Sequence, residues 1–212
     1  MAQLVAHHTG SVGVTGSNPV SSTTFTPRPV TGRGVLRCTH TAGGAILGFM
    51  DELQFHEIDS PIGRIGVVVS PAGVAKVLLE SDDIDAEREK IGAEAVVPLA
   101  AAQLSEYFSG QRREFTVPLD FRFATGFREE VLRELARVPY GQTTTYRELA
   151  EKVGNPKAVR AVGGACANNP LPLLVPCHRV LRVDGELGGY RGGSDMKRFL
   201  LELEGIDVER TR

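Results

Sequence analysis

Cys177 stands between Pro176 and His178, with Arg179 next and the apolar run Leu-Pro-Leu-Leu-Val at residues 171–175 before it. A cysteine attacks through its thiolate, and neighbouring histidine or arginine side chains favour that form. The competing reading for any single cysteine is an inert thiol buried in the core. The run before Cys177 is not a long helix, because Pro172 and Pro176 each remove a backbone donor and restrict the residue before them. It is expected to be buried and mostly extended, delivering the thiol at its end. The other cysteines, Cys38 and Cys166, make no CxxC pair with it. That spacing argues against a disulfide framework or a zinc site and points to a reducing, cytosolic compartment.

The chain of 212 residues is 42% hydrophobic and 24% charged, enough apolar material for one large or two small globular domains. No apolar run approaches the roughly 20 residues that span a membrane. The net charge of −2 is unevenly spread: residues 1–121 carry 9 Lys and Arg against 14 Asp and Glu, and residues 122–212 carry 15 against 12. The basic excess lies in the half that holds Cys177, which points to a polyanionic partner.

Residues 1–49 are rich in Gly, Ser, Thr and Pro, and Asp51 is the first acidic residue. They carry no core-forming period and are expected to be a disordered leader. There is no basic start followed by an apolar core, so a signal peptide does not fit. Arg28, Arg33 and Arg37 leave a mitochondrial transit peptide open. The preferred reading is a translated tRNA gene ahead of the true start at Met50, since Gly16-Ser17-Asn18-Pro19 is what the T-arm sequence GGT TCG AAT CC encodes. His7, His8, Cys38 and His40 are weighed as metal ligands and set aside.

Alternation predicts strands at 53–58, 64–70 and 74–80, joined by turns at 59–63 and 71–73, an antiparallel group of three. The acidic stretch 81–90 is a connector or short helix, and 98–109 is a helix with Ala100, Leu104, Tyr107 and Phe108 on one face and Gly110 after its end. Residues 115–119 add a short strand. Nothing in residues 50–121 forms a catalytic constellation, so they read as a supporting domain. From residue 122 onward the pattern becomes helical. Phe127, Val131, Leu132 and Leu135 make one amphipathic helix. Thr143 or Thr144 caps a second, with Tyr146, Leu149, Ala150 and Val153 in register. Asn155 caps a third, with Pro156 at its first position.

The second and third helices, joined by residues 153–156, form a helix-turn-helix pattern. In the third, Val159, Val162 and Cys166 face inward, Lys157, Ala161, Gly164 and Asn168 face out, and Arg160 lies on the flank. An outer face of small residues fits two partners, a DNA surface approached closely or a tightly packed neighbouring helix with a structural arginine. Residues 181–191 read as a hairpin or wing around Asp184-Gly185. Ser194 caps a last helix with Met196, Phe199, Leu200 and Leu203 inward. Glu204 at its end is a carboxylate where the helix dipole disfavours one.

Together these residues resemble the O6-alkylguanine-DNA alkyltransferase family, over about residues 53–205 and most densely over 127–205. The resemblance is carried by Pro-Cys-His-Arg-Val at 176–180, Tyr-Arg-Glu-Leu-Ala at 146–150, Asn-Pro-Lys-Ala-Val-Arg-Ala-Val-Gly-Gly at 155–164, Asn169-Pro170 and Gly-Gly-Tyr-Arg at 188–191. It implies an α+β fold: a small N-terminal antiparallel sheet with a helix, ribonuclease H-like, then a mostly helical, winged helix-turn-helix-like C-terminal domain. It implies direct reversal of O6-alkylguanine, and of O4-methylthymine, in double-stranded DNA by a monomer without cofactor or metal, acting in the cytoplasm. Cys177 would take the alkyl group irreversibly, one per protein molecule. His178 would hold a water between itself and Glu204 and remove the thiol proton. Tyr146 and Lys197 would help protonate the departing base at N3. Asn169 would brace the active-site segment. Arg160 would replace the flipped nucleotide while Lys157, Ala161 and Gly164 lie along the minor groove. Leu187, Gly188 and Tyr190 would wall the alkyl pocket, with Arg191 narrowing or recharging its mouth.

Arg179 reads as structural and Cys166 as core. Two rival functions remain: a non-catalytic alkyltransferase-like lesion-binding protein, which Cys177 argues against, and a thiol hydrolase or redox enzyme, which leaves Arg160 and its helix unexplained.

Overall fold

The computed structural model describes residues 52–207. The expectations for residues 1–49, the Met50 start and the His7, His8, Cys38 and His40 group lie outside the described residues. Three strands, β1 (Gln54–Ser60), β2 (Gly63–Ser70) and β3 (Gly73–Leu78), form an antiparallel sheet in that order. The sheet is covered on both faces, which is why four consecutive residues of β2, 65–68, are buried. Ile65, Val67, Val74 and Val77 join the main core, while Phe55, Val68, Ala75 and Leu78 close over Ile84 on the other side.

The acidic stretch is a helix, α1 (Ile84–Ile91), because Asp83 Oδ1 accepts the Ala86 N–H at 3.0 Å and anchors its first turn. Helix α2 (Pro98–Phe108) starts with proline at its first position and buries Ala100, Gln103, Leu104 and Tyr107. The expected strand at 115–119 is not formed. Pro118 has no N–H to donate, and the segment touches β3 only through Val74 N–H to Pro118 O at 2.9 Å and Asp120 N–H to Val74 O at 2.8 Å. At this crossing Gly73 has φ +141°, and a Cβ there would lie 2.3 Å from Pro118 O. Gly73→Ala is therefore expected to destabilise the protein by on the order of 2–3 kcal/mol in chemical denaturation, and a change under 0.5 kcal/mol would show that the crossing is not tight.

Four helices follow: α3 (Phe127–Leu135), α4 (Tyr146–Lys152), α5 (Val159–Ala167) and α6 (Gly193–Leu203). Together with two-residue strands β4 (Thr144–Thr145) and β5 (Val180–Leu181), paired in parallel, they complete an α+β molecule. One apolar core runs from the sheet and α2 into α3, α4, α5 and α6. Among the described residues no helix is long and apolar enough to cross a membrane.

Several local expectations shift. The α4 cap is Thr145, in a capping box: Thr145 Oγ1 accepts from Glu148 N at 3.1 Å and Glu148 returns a carboxylate oxygen to Thr145 N at 2.8 Å. Thr143 and Thr144 stand too early, and Thr144 Oγ1 instead donates to Glu148 at 3.1 Å. Asn155 and Pro156 open a single turn, closed by Ala158 N–H to Asn155 O at 2.9 Å, and α5 begins only at Val159. That delay leaves Val159 36% exposed and gives its inward place to Ala165, beside Val162 and Cys166. The Asp-Gly turn at 184–185 forms, with Gly185 N–H to Arg182 O at 3.0 Å, but β5 pairs with β4 and no hairpin strand returns. Helix α6 starts at Gly193 without a side-chain cap from Ser194, and its buried face is Lys197, Leu200 and Leu201, with Phe199 38% exposed.

The run before Cys177 is buried, as expected, but it is coiled rather than extended. Strand β3 reaches only its start, where Val77 N–H bonds Pro170 O at 2.7 Å, and beyond that point turns and the Asn169 side chain satisfy the backbone. Val175 N–H bonds Leu171 O and Cys177 N–H bonds Val175 O, both at 2.8 Å. The turn needs a left-handed residue, and Leu173 supplies it at φ 72°, an uncommon conformation for a branched side chain.

Candidate active site

Cys177 opens a short 3₁₀ turn, Cys177–Arg179, and its side chain is almost wholly enclosed. Asn169 sits across the coil and ties it together. Its amide nitrogen donates to Val175 O at 2.9 Å and to Cys177 Sγ at 3.2 Å, while its oxygen accepts from Leu171 N–H at 3.0 Å. Asn169 thus braces the segment and also offers the sulfur a hydrogen bond that favours the thiolate. Burial pushes the Cys177 thiol above its ordinary value, against Asn169, Arg191 and Lys197, which pull it down.

His178 is fully buried, and its Nε2 lies 2.9 Å from Glu204 Oε1. The expected water between these two side chains has no room, because they are in direct hydrogen-bond contact. Glu204 is the hub of the site. It accepts from Tyr107 Oη at 2.7 Å, from Arg179 Nε and Nη2 at 2.8 Å each, and from Gly141 N–H at 3.2 Å. Burial alone would raise its pKa. The hydrogen bonds from His178 and Arg179 outweigh that and bring it down to about 2. Held as a carboxylate, Glu204 takes its bond from Nε2–H and so leaves Nδ1 of a neutral His178 as the acceptor. Burial lowers the imidazole's affinity for a second proton, and Nδ1 is buried without a protein partner.

Arg179 is structural, as expected, since it is buried with its guanidinium bonded to Glu204 and, at 2.5 Å, to the Val138 carbonyl. Tyr107 was not recognisable as part of the site. It comes from α2, within the stretch read as merely supporting, and on an apolar helix face it resembles any core aromatic. Its hydroxyl, held neutral by burial and the nearby Glu204 charge, gave no sequence signal.

Beside Cys177 lies a cavity of about 400 Å³ walled by Tyr146, Gly163, Cys166, Ala167, Cys177, Gly189, Tyr190 and Arg191. Cys166 is buried in the main core, as expected, and also lines the cavity wall. Tyr146 is half-buried, and burial keeps its phenol protonated. Tyr190 Oη is buried without a protein partner, a polar contact left for a ligand. Gly188 stands behind the wall at φ +64°, and a Cβ there would come within 3.2 Å of the Tyr146 hydroxyl. Leu187 packs instead with Leu181 and Leu201. Lys197 is also off the wall: its ammonium binds the Val180 carbonyl at 2.6 Å and the Leu187 carbonyl, fixing the loop that carries the wall. Burial brings Lys197 down to about 8, against the pull of Cys177 and Cys166. Arg191 reaches back to the sheet, donating to Val77 O at 3.1 Å and lying 3.5 Å from Asp82.

Helix α5 has a second face. Lys157, Arg160, Ala161 and Gly164 are exposed together, while Gly163 and Cys166 turn to the cavity. A Cβ added at Gly164 would meet nothing within 4 Å. Among the described residues no helix packs against this small outer face, which disfavours the helix-packing reading. Among the described residues no group of three or more His, Cys, Asp or Glu is placed to hold a metal.

This arrangement matches known proteins along its length. Residues 53–121 match the ribonuclease-like domain of 6-O-methylguanine DNA methyltransferase, and residues 126–206 match its DNA binding domain. A methylated-DNA--protein-cysteine methyltransferase of Mycobacterium tuberculosis is 39% identical over 153 residues, 72% of this chain and 92% of the relative. One from Methanosarcina acetivorans is 42% identical over 154 residues, 69% of this chain and 95% of the relative. The crystal structure of Mycobacterium tuberculosis OGT in complex with DNA superposes with a TM-score of 0.65 at 36% identity, covering 74% of this chain and 98% of that one. With both domain models matched in order and relatives of this identity covered almost end to end, the chain belongs to the 6-O-methylguanine DNA methyltransferase family.

Proposed function

We propose that the protein repairs DNA by direct reversal, transferring the alkyl group of O6-alkylguanine, and of O4-methylthymine, to Sγ of Cys177. The observation that carries this reading is the position of Cys177 on the wall of a cavity roomy enough for a flipped base, with part of that wall built by the helix whose outer face presents Arg160. An enzyme that acts on a base atom inside a duplex must extrude the base, and the cavity beside Cys177 has the room to receive it. Ala161 and Gly164 let α5 approach the minor groove, Lys157 meets phosphate, and Arg160 fills the stack where the base has left.

In the cavity, Nδ1 of His178 takes the thiol proton, its tautomer fixed by Glu204. The sulfur lone pair attacks the alkyl carbon, the carbon–O6 bond breaks, and its electrons pass into the purine. Tyr146, protonated and on the wall, hydrogen-bonds the base and supplies the proton at N3 that lets it leave neutral. Lys197 acts on this step through the loop it holds and its charge. Tyr190 and Gly189 bound the alkyl group, and Arg191 sets the width of the mouth from its anchor on β3. The thioether carbon has no good leaving group, so the thiol is not regenerated. The protein acts as a monomer in a reducing cytoplasm, which keeps Cys177 free.

A duplex carrying O6-methylguanine should be repaired by one equivalent of protein and no more, and continued turnover past one equivalent would remove the single-use mechanism. Arg160→Ala should slow repair in duplex DNA by 10-fold or more, the scale of a few kcal/mol for unstacking a base, while leaving the reaction with free O6-benzylguanine within about 2-fold. Equal losses on both substrates would exclude Arg160 as the residue that replaces the flipped base. The non-catalytic lesion-binding alternative is disfavoured by the Cys177 and Asn169 pairing, which has no use in a protein that only binds.

A further inference from the structure

The transfer mechanism leaves one nucleophile unused. Cys166, on α5, walls the same cavity as Cys177, and the other α5 residues on that wall, Gly163 and Ala167, are small. The two thiols lie near enough for a charge on Cys177 to disfavour ionisation of Cys166. Both are free thiols. Their environments differ in a way that separates their chemistry. Cys177 receives the Asn169 hydrogen bond at 3.2 Å and neighbours His178, whereas burial pushes the Cys166 thiol up to about 12. Cys166 is thus too weak a nucleophile to compete for the first alkyl group, but it faces whatever Cys177 has accepted.

We propose that Cys166 is a capturing thiol for bifunctional alkyl groups, closing a 2-haloethyl group taken up by Cys177 into a bridge between the two sulfurs. The inference rests on the alkyl-acceptor reading of Cys177. In the first step Cys177 displaces the 2-chloroethyl group from O6, giving a thioether with chlorine on its second carbon. The thioether sulfur then expels chloride from that carbon and closes a three-membered sulfonium ring. Cys166 attacks a ring carbon and loses its proton, and the electrons of the opened carbon–sulfur bond return to Cys177. The sum is one C2H4 bridge formed, one chloride and one proton released, with no oxidant or reductant. A sulfonium ring is electrophilic enough to react with a protonated thiol, so the high pKa of Cys166 is no obstacle to this second step. A two-carbon bridge also tolerates a wider separation of the sulfurs than the roughly 2 Å of a disulfide bond. Enclosure favours the thiol over water as the partner, and consumption of the reactive chloride inside the protein keeps it from the DNA.

The test uses the full chain and duplex DNA carrying either O6-methylguanine or O6-(2-chloroethyl)guanine, read by intact mass and by tryptic mapping. Cleavage after Arg160 and Arg179 places both cysteines on one peptide, residues 161–179. With the chloroethyl duplex the major product should carry the C2H4 bridge, one water lighter than the hydroxyethyl thioether made by hydrolysis, and Cys166 should resist iodoacetamide after the protein is denatured. Cys166→Ser, checked in parallel for methyl transfer, should give the hydroxyethyl form. Hydroxyethyl on Cys177 with Cys166 still alkylatable in the wild-type chain would overturn the proposal, as would a protein–DNA crosslink as the main product. Methyl transfer without any chloroethyl transfer would overturn it too. Failure of methyl transfer itself would instead overturn the acceptor reading of Cys177.

Discussion

Glu204→Ala should destabilise the protein by about 3–5 kcal/mol and remove most of its alkyl transfer. The carboxylate accepts hydrogen bonds from Tyr107, His178, Arg179 and Gly141 in a buried setting. Its removal leaves the Arg179 guanidinium buried without its anion, and leaves His178 without the contact that selects its tautomer. Because the alanine variant is expected to fold poorly, Glu204→Gln is its companion: it keeps the shape, removes the charge, and should still lose both stability and rate. Urea denaturation at neutral pH measures the first, and single-turnover transfer the second. A loss below about 1 kcal/mol in both variants would show that the hub does not hold the site. The same carboxylate sets an acid limit. Its pKa in the folded protein, about 2, is below the ordinary 4.5, so its contribution is fully present above about pH 4.5 and lost as pH falls towards 2. Acid unfolding should therefore move to higher pH in Glu204→Gln.

Cys177→Ala should abolish transfer to the level of buffer alone while costing only about 1 kcal/mol of stability, since one buried sulfur is lost and Asn169 keeps its Val175 contact. Binding to lesion-bearing duplex should persist, because Arg160, Ala161 and Gly164 lie on the outer face of α5, and Lys157 in the turn before it, not at the thiol. Fluorescence anisotropy with a labelled O6-methylguanine duplex, run beside a transfer assay, separates the two properties. Residual transfer above background would assign the acceptor to another residue, and Cys166 would be the first to examine.

The strands and most helices were legible in the sequence because each has a local cause: period-two Val and Ile in β2, Pro98 at the head of α2, Gly and Pro at the turns. Boundaries failed where two signals competed. Asn155-Pro156 has the composition of a helix start, but the chain spends it on a separate turn, and the real helix begins three residues later with Val159 turned outward. Thr143, Thr144 and Thr145 are alike as caps, and only the reach to Glu148 selects the last. The prolines before Cys177 correctly excluded a helix, but an extended segment needs a neighbouring strand, and that is a tertiary fact.

The site divides in the same way. Cys177 and the adjacent His178 were legible from residue type, Asn169 and Tyr190 only through the family resemblance, and the structure gathers all four around one turn and one cavity. Tyr107 could not be found, because a tyrosine on an apolar helix face is identical in pattern to a core residue, and its hydroxyl acquires meaning only when α6 brings Glu204 within 2.7 Å. Leu187 and Lys197 were near the cavity in sequence but stand off its wall, because Leu187 packs with Leu181 and Leu201 and the Lys197 ammonium ties the loop through the Val180 and Leu187 carbonyls.

The most direct measurement is the mass of the protein after reaction with duplex DNA containing O6-methylguanine. The account predicts a gain of one methyl group per chain, mapped to Cys177 on the peptide of residues 161–179, with unmodified guanine left in the DNA. An unchanged mass in protein that still binds the lesion would contradict it and identify a sensor in place of an alkyl acceptor.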